Sequence, residues 1–221
     1  TMFKCSNVSV IGIHLSHGNY NKTAMIPSQL RYMRKLQEIK LLDQFYGTIP
    51  DQLAELPHLK KLTIRSPNIK GELPSLAESL ESIDLSCPLS TWLGRIPRTV
   101  KNLKLSSFEI AGEIPNLGLI ERLEISGCRF TSSYQLPSFT SPKLVFLSIK
   151  DSEVTGTIPD FPSNLETVIL RGNALTGTLP ILSPKIASFD VSSNQLSGTI
   201  PSIDHTMESL DLSRNKLTGG F

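Results

Sequence analysis

The side chains of this chain that could do chemistry are few, and their spacing does not serve it. His14 and His17 stand three apart. A metal ion would need further ligands there, and nothing nearby supplies them, so they read as surface histidines. Asp84, Glu124, Asp190 and Asp211 have the right chemistry for acid–base work. Each, however, falls at the same exposed place of a recurring apolar–polar pattern, whereas paired catalytic acids need a concave, partly desolvated site that drives their pKa values apart. H-E-x-x-H, C-x-x-C and the phosphate-cradling G-x-x-x-x-G-K-[ST] are all missing. No catalytic residue, metal ligand or cofactor is expected, and the chain reads as a non-enzyme.

Three cysteines, Cys5, Cys87 and Cys128, cannot close a disulfide framework, so a packed core has to hold the fold. The composition fits one: 39% hydrophobic and 19% charged residues. A net charge of +2 is too small for a long-range field that would draw nucleic acid or an anionic membrane. No apolar run approaches the roughly 18 residues of a membrane span, so no membrane insertion is expected in this segment. The start at Thr1 reads as a processed or cloned boundary, beyond which a targeting segment could lie.

What positions these side chains is a repeat. The segments LVFLSIKDSEVTGTIP from Leu144, LETVILRGNALTGTLP from Leu165 and IASFDVSSNQLSGTIP from Ile186 align without gaps. Less regular copies begin at Leu36, Leu59, Leu80, Val100, Ile120 and Met207, and VIGIHLSHGN opens the series from Val10. From Leu36 onward the first apolar residues of successive units lie 20 to 24 apart. In LETVILRGN, Val168 and Leu170 are two apart and point to the same side of a strand, while Thr167, Ile169 and Arg171 point to the other. A strand this short cannot stand alone, but stacked on its copies at about 4.8 Å it joins a parallel sheet over one continuous core.

Each unit reads L-x-x-L-x-L-x-x-N-x-L-x-G-x-I/L-P. This resembles the leucine-rich-repeat family, and the L-T-G-x-I-P ending resembles its plant-type extracellular subclass. The resemblance covers nearly the whole chain and implies a leucine-rich-repeat solenoid: a right-handed curved coil of about ten repeats, with a parallel β-sheet on the concave face and short extended or 3-10 segments on the convex side. The units are shorter than is usual in the plant subclass. Residues 1–35 are expected to form an N-terminal cap remnant and the first repeat. Residues 36–221 hold the second to tenth repeats, the last incomplete, in one continuous domain. Connectors of mostly five residues are too short for α-helices; 29–35 and 51–58 could each hold a short helical turn.

Asn173, Asn194 and Asn215 follow their strands where the chain turns inward, and their amides can form a buried structural ladder to neighbouring turns. Pro67, Pro88, Phe108, Cys128 and Ser152 stand in for Asn in earlier units, with Cys128 read as a ladder substitute through its thiol. Cys87 lies one position earlier and two rungs away, roughly 10 Å, too far for a Cys87–Cys128 disulfide.

The exposed face is the candidate site. Its middle positions run His14, Lys40, Thr63, Asp84, Lys104, Glu124, Ser148, Ile169, Asp190 and Asp211, cationic early and acidic late. Phe146 and Ile169 are apolar there in consecutive units, beside Arg122, Lys150 and Arg171, the mixture from which binding hot spots are made. A solvated face of mixed charge is the competing reading. Trp92 lies in an enlarged loop of the fourth unit, where it either joins the ligand-binding set or fills a core position; Tyr134 lies in a similar loop of the sixth. Thr155, Thr157, Thr176, Thr178, Thr199 and Thr218 form rows at rung spacing that break at Glu72, Arg95 and Glu113.

Two N-x-[ST] sequons mark Asn7 and Asn21 as glycosylation sites. Cys5 stands where extracellular members of the family carry an N-terminal disulfide cap, without its partner. The last unit stops at Phe221 before its I-P, so flanking sequence or a partner is expected to cover the C-terminal rung. The expected function is a non-enzymatic recognition module, extracellular or on the cell surface, whose partner is a protein, peptide or glycan. A structural array within a surface coat or larger assembly is the alternative, and ice binding by the threonine rows a third.

Overall fold

A computed structural model describes residues 12–16, 24–43, 45–92, 96–112, 114, 118–131, 134–202 and 206–219. Ten strands stack in chain order into one sheet: Gly12–Ser16, Glu38–Leu42, Lys61–Arg65, Ser82–Ser86, Asn102–Ser106, Arg122–Ser126, Phe146–Lys150, Thr167–Ile169, Ser188–Asp190 and Ser209–Asp211. Every pairing is parallel. We number the rungs one to ten by these strands. The repeat sets the register, because the same unit position meets itself on each neighbour: Leu103 faces Leu123, Leu147 follows, then Val168, Phe189 and Leu210. Any slip of one residue would turn the apolar column outward.

These columns are the core. Ile39, Leu41, Ile64, Leu85, Leu105, Ile125, Leu147, Ile149, Val168 and Leu170 are wholly or almost wholly buried, as are the leucines that open the units, such as Leu36, Leu59 and Leu165. In the tenth rung Leu210, Leu212 and Leu217 are only partly covered.

The convex side is thin. Among the described residues two 3-10 turns occur, Ser28–Tyr32 and Asp51–Glu55, within or beside the two connectors singled out for helical turns, each entered from an extended proline (Pro27, Pro50) and anchored by a buried leucine (Leu30, Leu53). No helix of the described residues could cross a membrane.

A second set of strands runs along one flank. Ala24–Met25, Phe45–Gly47 and Asn68–Ile69 form one small sheet, and Gly71–Glu72, Leu89–Trp92, Glu109–Ala111 and Arg129–Phe130 a second. Thr155–Thr157 pairs with Ala174–Thr176, and Ser197–Thr199 with Lys216–Thr218. Backbone groups just past the inward turn thus find partners on the next rung too, which removes the cost of burying them unpaired.

The inward turn is made by a left-handed residue seven places into the unit. Asp43, Ser107, Gly127, Asp151, Gly172, Ser193 and Arg214 all have φ between 51° and 74° there. The following residue then points into the solenoid. Asn173 Oδ1 accepts from the N–H groups of Ser152 (3.2 Å) and Val154 (3.1 Å), and its Nδ2 donates to Ile149 O (2.8 Å) and Leu170 O (2.9 Å). Asn194 and Asn215 repeat the pattern one and two rungs on. Cys128 Sγ donates to Leu105 O (3.7 Å) and Ser126 O (3.6 Å), and Ser152 Oγ to Lys150 O (2.7 Å).

Two of the Asn stand-ins need correction. Proline at the ladder position disfavours the turn geometry in the residue before it, and Ser66 and Cys87 are not left-handed. Their own side chains turn inward instead. Ser66, 1% exposed, donates to Asp43 O and to Phe45 O (2.6 Å), so Ser66 and not Pro67 bridges that rung. Cys87 is likewise buried ahead of Pro88. Phe108 fills the position with a buried ring, which replaces polar bridging by apolar packing.

Candidate functional site: the exposed face of the long sheet

Two columns of the face carry the apolar anchors. Arg122, Phe146 and Thr167 are in register, and beside them Glu124, Ser148, Ile169 and Asp190. Phe146 and Ile169 are therefore diagonal neighbours. Both are half-buried. Ser148 points outward yet is only 2% exposed, shielded by the larger side chains around it. Val145, one residue before Phe146, adds further exposed apolar surface.

The Arg122 guanidinium carbon lies 3.4 Å over the centre of the Phe146 ring. Arg122 Nε also donates to Glu124 Oε1 (2.7 Å), and Lys104 Nζ lies 3.0 Å from the second oxygen of that carboxylate. Desolvation pushes Glu124 upward, but hydrogen bonds from Lys104 and Arg122 outweigh it and hold its pKa below the usual value. The Phe146 ring is thus capped by a cation fixed from behind, an arrangement that limits the rotamer freedom a ligand would otherwise have to freeze. Lys150 and Arg171 stand at the exit edge of rungs seven and eight, with no carboxylate in ion-pair range among the described residues. The sheet brings Arg122, Phe146, Lys150, Ile169 and Arg171 onto one surface; the stacking, which needs register across two rungs 24 residues apart, had no local signal.

Trp92 is not among them. Its backbone ends the flank strand Leu89–Trp92 and pairs with Ala111, on a different sheet from Phe146; its side chain lies outside the described residues. Tyr134 is no surface feature. It is 5% exposed, stacks on Phe130 with ring centres 4.3 Å apart, and its hydroxyl accepts from the Ile114 N–H at 3.1 Å. The enlarged loop of the sixth unit therefore contributes an aromatic plug to the core. Asn7, Asn21, Cys5, His17 and Phe221 lie outside the described residues.

Charge is graded along the face. On rungs two to five the strands and the residue entering each carry six cations (Lys40, Lys60, Lys61, Arg65, Lys101, Lys104) against three acids (Glu38, Glu81, Asp84). On rungs nine and ten the same positions carry Asp190, Glu208 and Asp211 and no cation. Many central charges are paired internally. Glu81 bridges Lys101 (2.8 Å) and Lys60 (3.2 Å), which hold its pKa down, and Arg65 holds Asp84. Lys40 and Lys61 are in no ion pair among the described residues. Lys61 helps to line a depression of about 460 Å³ with His14, Glu38 and Lys60.

The threonine rows of the flank have a packing role. Gly177 has φ +84°, and a Cβ on it would lie 2.8 Å from Thr157 Cγ2; Gly198 meets Thr178 in the same way at 2.9 Å. The methyls of Thr157 and Thr178 each cover the glycine of the next rung. Cys87 and Cys128 are free and buried. Burial pushes Cys87 up to about 12 and raises Cys128, so neither is a nucleophile at neutral pH. No cluster of three metal-ligating side chains occurs among the described residues.

Comparison with known proteins agrees with the architecture. A leucine-rich-repeat family model matches residues 204–220. Receptor-like protein 35 of Arabidopsis thaliana is 31% identical over 160 residues, covering 66% of this chain. The chain spans only 16% of that relative's length. Among solved structures, the leucine-rich-repeat ectodomain of the Arabidopsis receptor kinase HAESA, in complex with an extended IDA peptide hormone, is 28% identical with a TM-score of 0.74, over 90% of this chain and 38% of that one. A plant ice-binding protein is 22% identical, also with a TM-score of 0.74, over 89% of this chain and 70% of that one, a likeness of fold alone. With ten units in register and one parallel sheet, these likenesses agree with a leucine-rich-repeat solenoid, whose units resemble those of the plant-type extracellular subclass.

Proposed function

We propose that the chain is a non-enzymatic recognition module, extracellular or at the cell surface, that binds a peptide or protein through the exposed face of its ten-stranded sheet. The observation that carries this is the half-buried Phe146, capped by Arg122 at 3.4 Å and flanked by Ile169 and by Lys150 and Arg171, cations in no ion pair among the described residues. Apolar anchors on an otherwise polar, preorganised surface are what concentrated binding energy requires. The peptide held by HAESA supports the choice of ligand class, and the receptor-like relative supports the location; the Asn7 and Asn21 sequons both fall in the first unit of the sequence. The test is capture from a pool of extracellular peptides and proteins on the immobilised chain. Phe146→Ala with Arg171→Ala should weaken retention of the captured species at least about ten-fold, since truncating central anchors costs more than about 1 kcal/mol each. Thermal unfolding of the pair should change little, because neither side chain is in the core. Unaltered retention would remove the patch from the site.

A further inference from the structure

We infer that the occupant of this face is a single extended peptide with its charges segregated: acidic residues over rungs two and three, an apolar residue over Phe146 and Ile169, and basic residues over rungs nine and ten. This rests on the recognition reading above and adds the ligand's polarity and span. At the cationic end Lys40 and Lys61 are in no ion pair among the described residues, and the depression beside Lys61, where Lys60 and His14 outnumber Glu38, offers room for acidic side chains. At the other end Asp190 accepts from the Ser192 N–H (3.0 Å) and Oγ (2.6 Å), both on Oδ1, which leaves Oδ2 for an incoming cation. Asp211 is hydrogen-bonded by Ser213, and its pKa is lowered, so it stays ionised. Arg214, on the turn beyond that strand, adds a weaker favourable charge but forms no ion pair with it.

The dimensions fit a peptide. Six rung steps from the third to the ninth strand make about 29 Å at about 4.8 Å each, the length of roughly nine residues at about 3.3 Å per residue. A gradient along one axis favours a ligand whose charges are sorted along its length, and it opposes one whose charges alternate, since each end then meets like charge.

Two labelled ten-residue peptides of identical composition test this, one with three aspartates at one end, then two glycines, then Leu-Val and three lysines at the other end, the second with the same charges alternating. Fluorescence anisotropy against the chain at low salt should show the segregated peptide binding at least about ten-fold tighter, with the preference shrinking as salt screens it. Lys40→Glu with Lys61→Glu should weaken the segregated peptide at least about five-fold, and so should Asp190→Asn with Asp211→Asn, which keeps the acceptor to each serine. Equal affinity of the two isomers, or failure of the segregated peptide to bind, would overturn the inference. Neither result touches the recognition reading, which stands or falls on the capture experiment.

Discussion

The side chain most exacting in its position is the ladder asparagine. Asn194, 8% exposed, accepts from the Leu175 N–H at 3.1 Å and donates to Leu170 O (2.9 Å) and Val191 O (3.0 Å). One amide thus joins two rungs, and no other side chain of its size carries a donor and an acceptor in that geometry. Asn194→Ala would leave those groups buried and unsatisfied, so a loss of about 2–3 kcal/mol in urea unfolding is expected, and a loss under about 1 kcal/mol would show that the bonds are dispensable. The three asparagines stand out in the sequence because the consensus places them there. Ser66 does not, because its role follows from the proline after it: Pro67 disfavours the left-handed turn, and the inward-pointing position moves back by one residue. The candidate site divides in the same way. That Phe146 and Ile169 are exposed follows from strand alternation, but the stacking of Arg122 on Phe146 depends on two side chains from different rungs meeting.

Elements stack closely enough that a single Cβ matters. Gly177→Ala would bring a Cβ to 2.8 Å from Thr157 Cγ2 at a φ of +84°, so a loss of about 1–2 kcal/mol or more is expected from backbone conformation and contact together. Thr157→Ser in the same chain removes the offending methyl and should recover the contact part while leaving the backbone part. If the double variant is no more stable than Gly177→Ala, strain and not contact sets the cost. The ionic belt of rungs three to six adds a pH dependence. Glu81 and Glu124 have pKa values lowered from 4.5 by their lysine and arginine partners. Groups so lowered contribute stability above their ordinary value and lose it as pH falls through the lowered one. The melting temperature should therefore drop on acidification below about 4.5, and the drop should be smaller in a Glu81→Gln, Glu124→Gln variant, with its salt sensitivity reduced too. Equal acid sensitivity in that variant would assign the effect to other carboxylates.

Across the whole molecule, each rung is held only by its two neighbours, so stability rises toward the middle. Leu103, Leu123 and Leu147 are fully covered, whereas Leu210, Leu212 and Leu217 of the tenth rung are half-open. Amide exchange should be slowest in the strands of rungs four to seven and faster in Ser209–Asp211; uniform protection through the tenth rung would mean that the array opens only as one unit.

The sequence by itself determined the array. Apolar residues two apart, repeated every 20 to 24 residues, leave a short strand no stable place except against its own copies, so repeat number, register and inward and outward faces all follow from a periodicity visible in the chain. Tertiary structure alone decided what lies across rungs. The flank strands, including the pairing of Trp92 with Ala111, the threonine methyls over glycines, the hydrogen bond from the Ile114 N–H to the Tyr134 hydroxyl and the capping of Phe146 by Arg122 are contacts between residues about twenty apart, whose partners no local pattern names. Proximity across the stack also leaves Lys40, Lys61, Lys150 and Arg171 in no ion pair among the described residues while their neighbours are neutralised, and so decides which charges on the face remain available to a ligand.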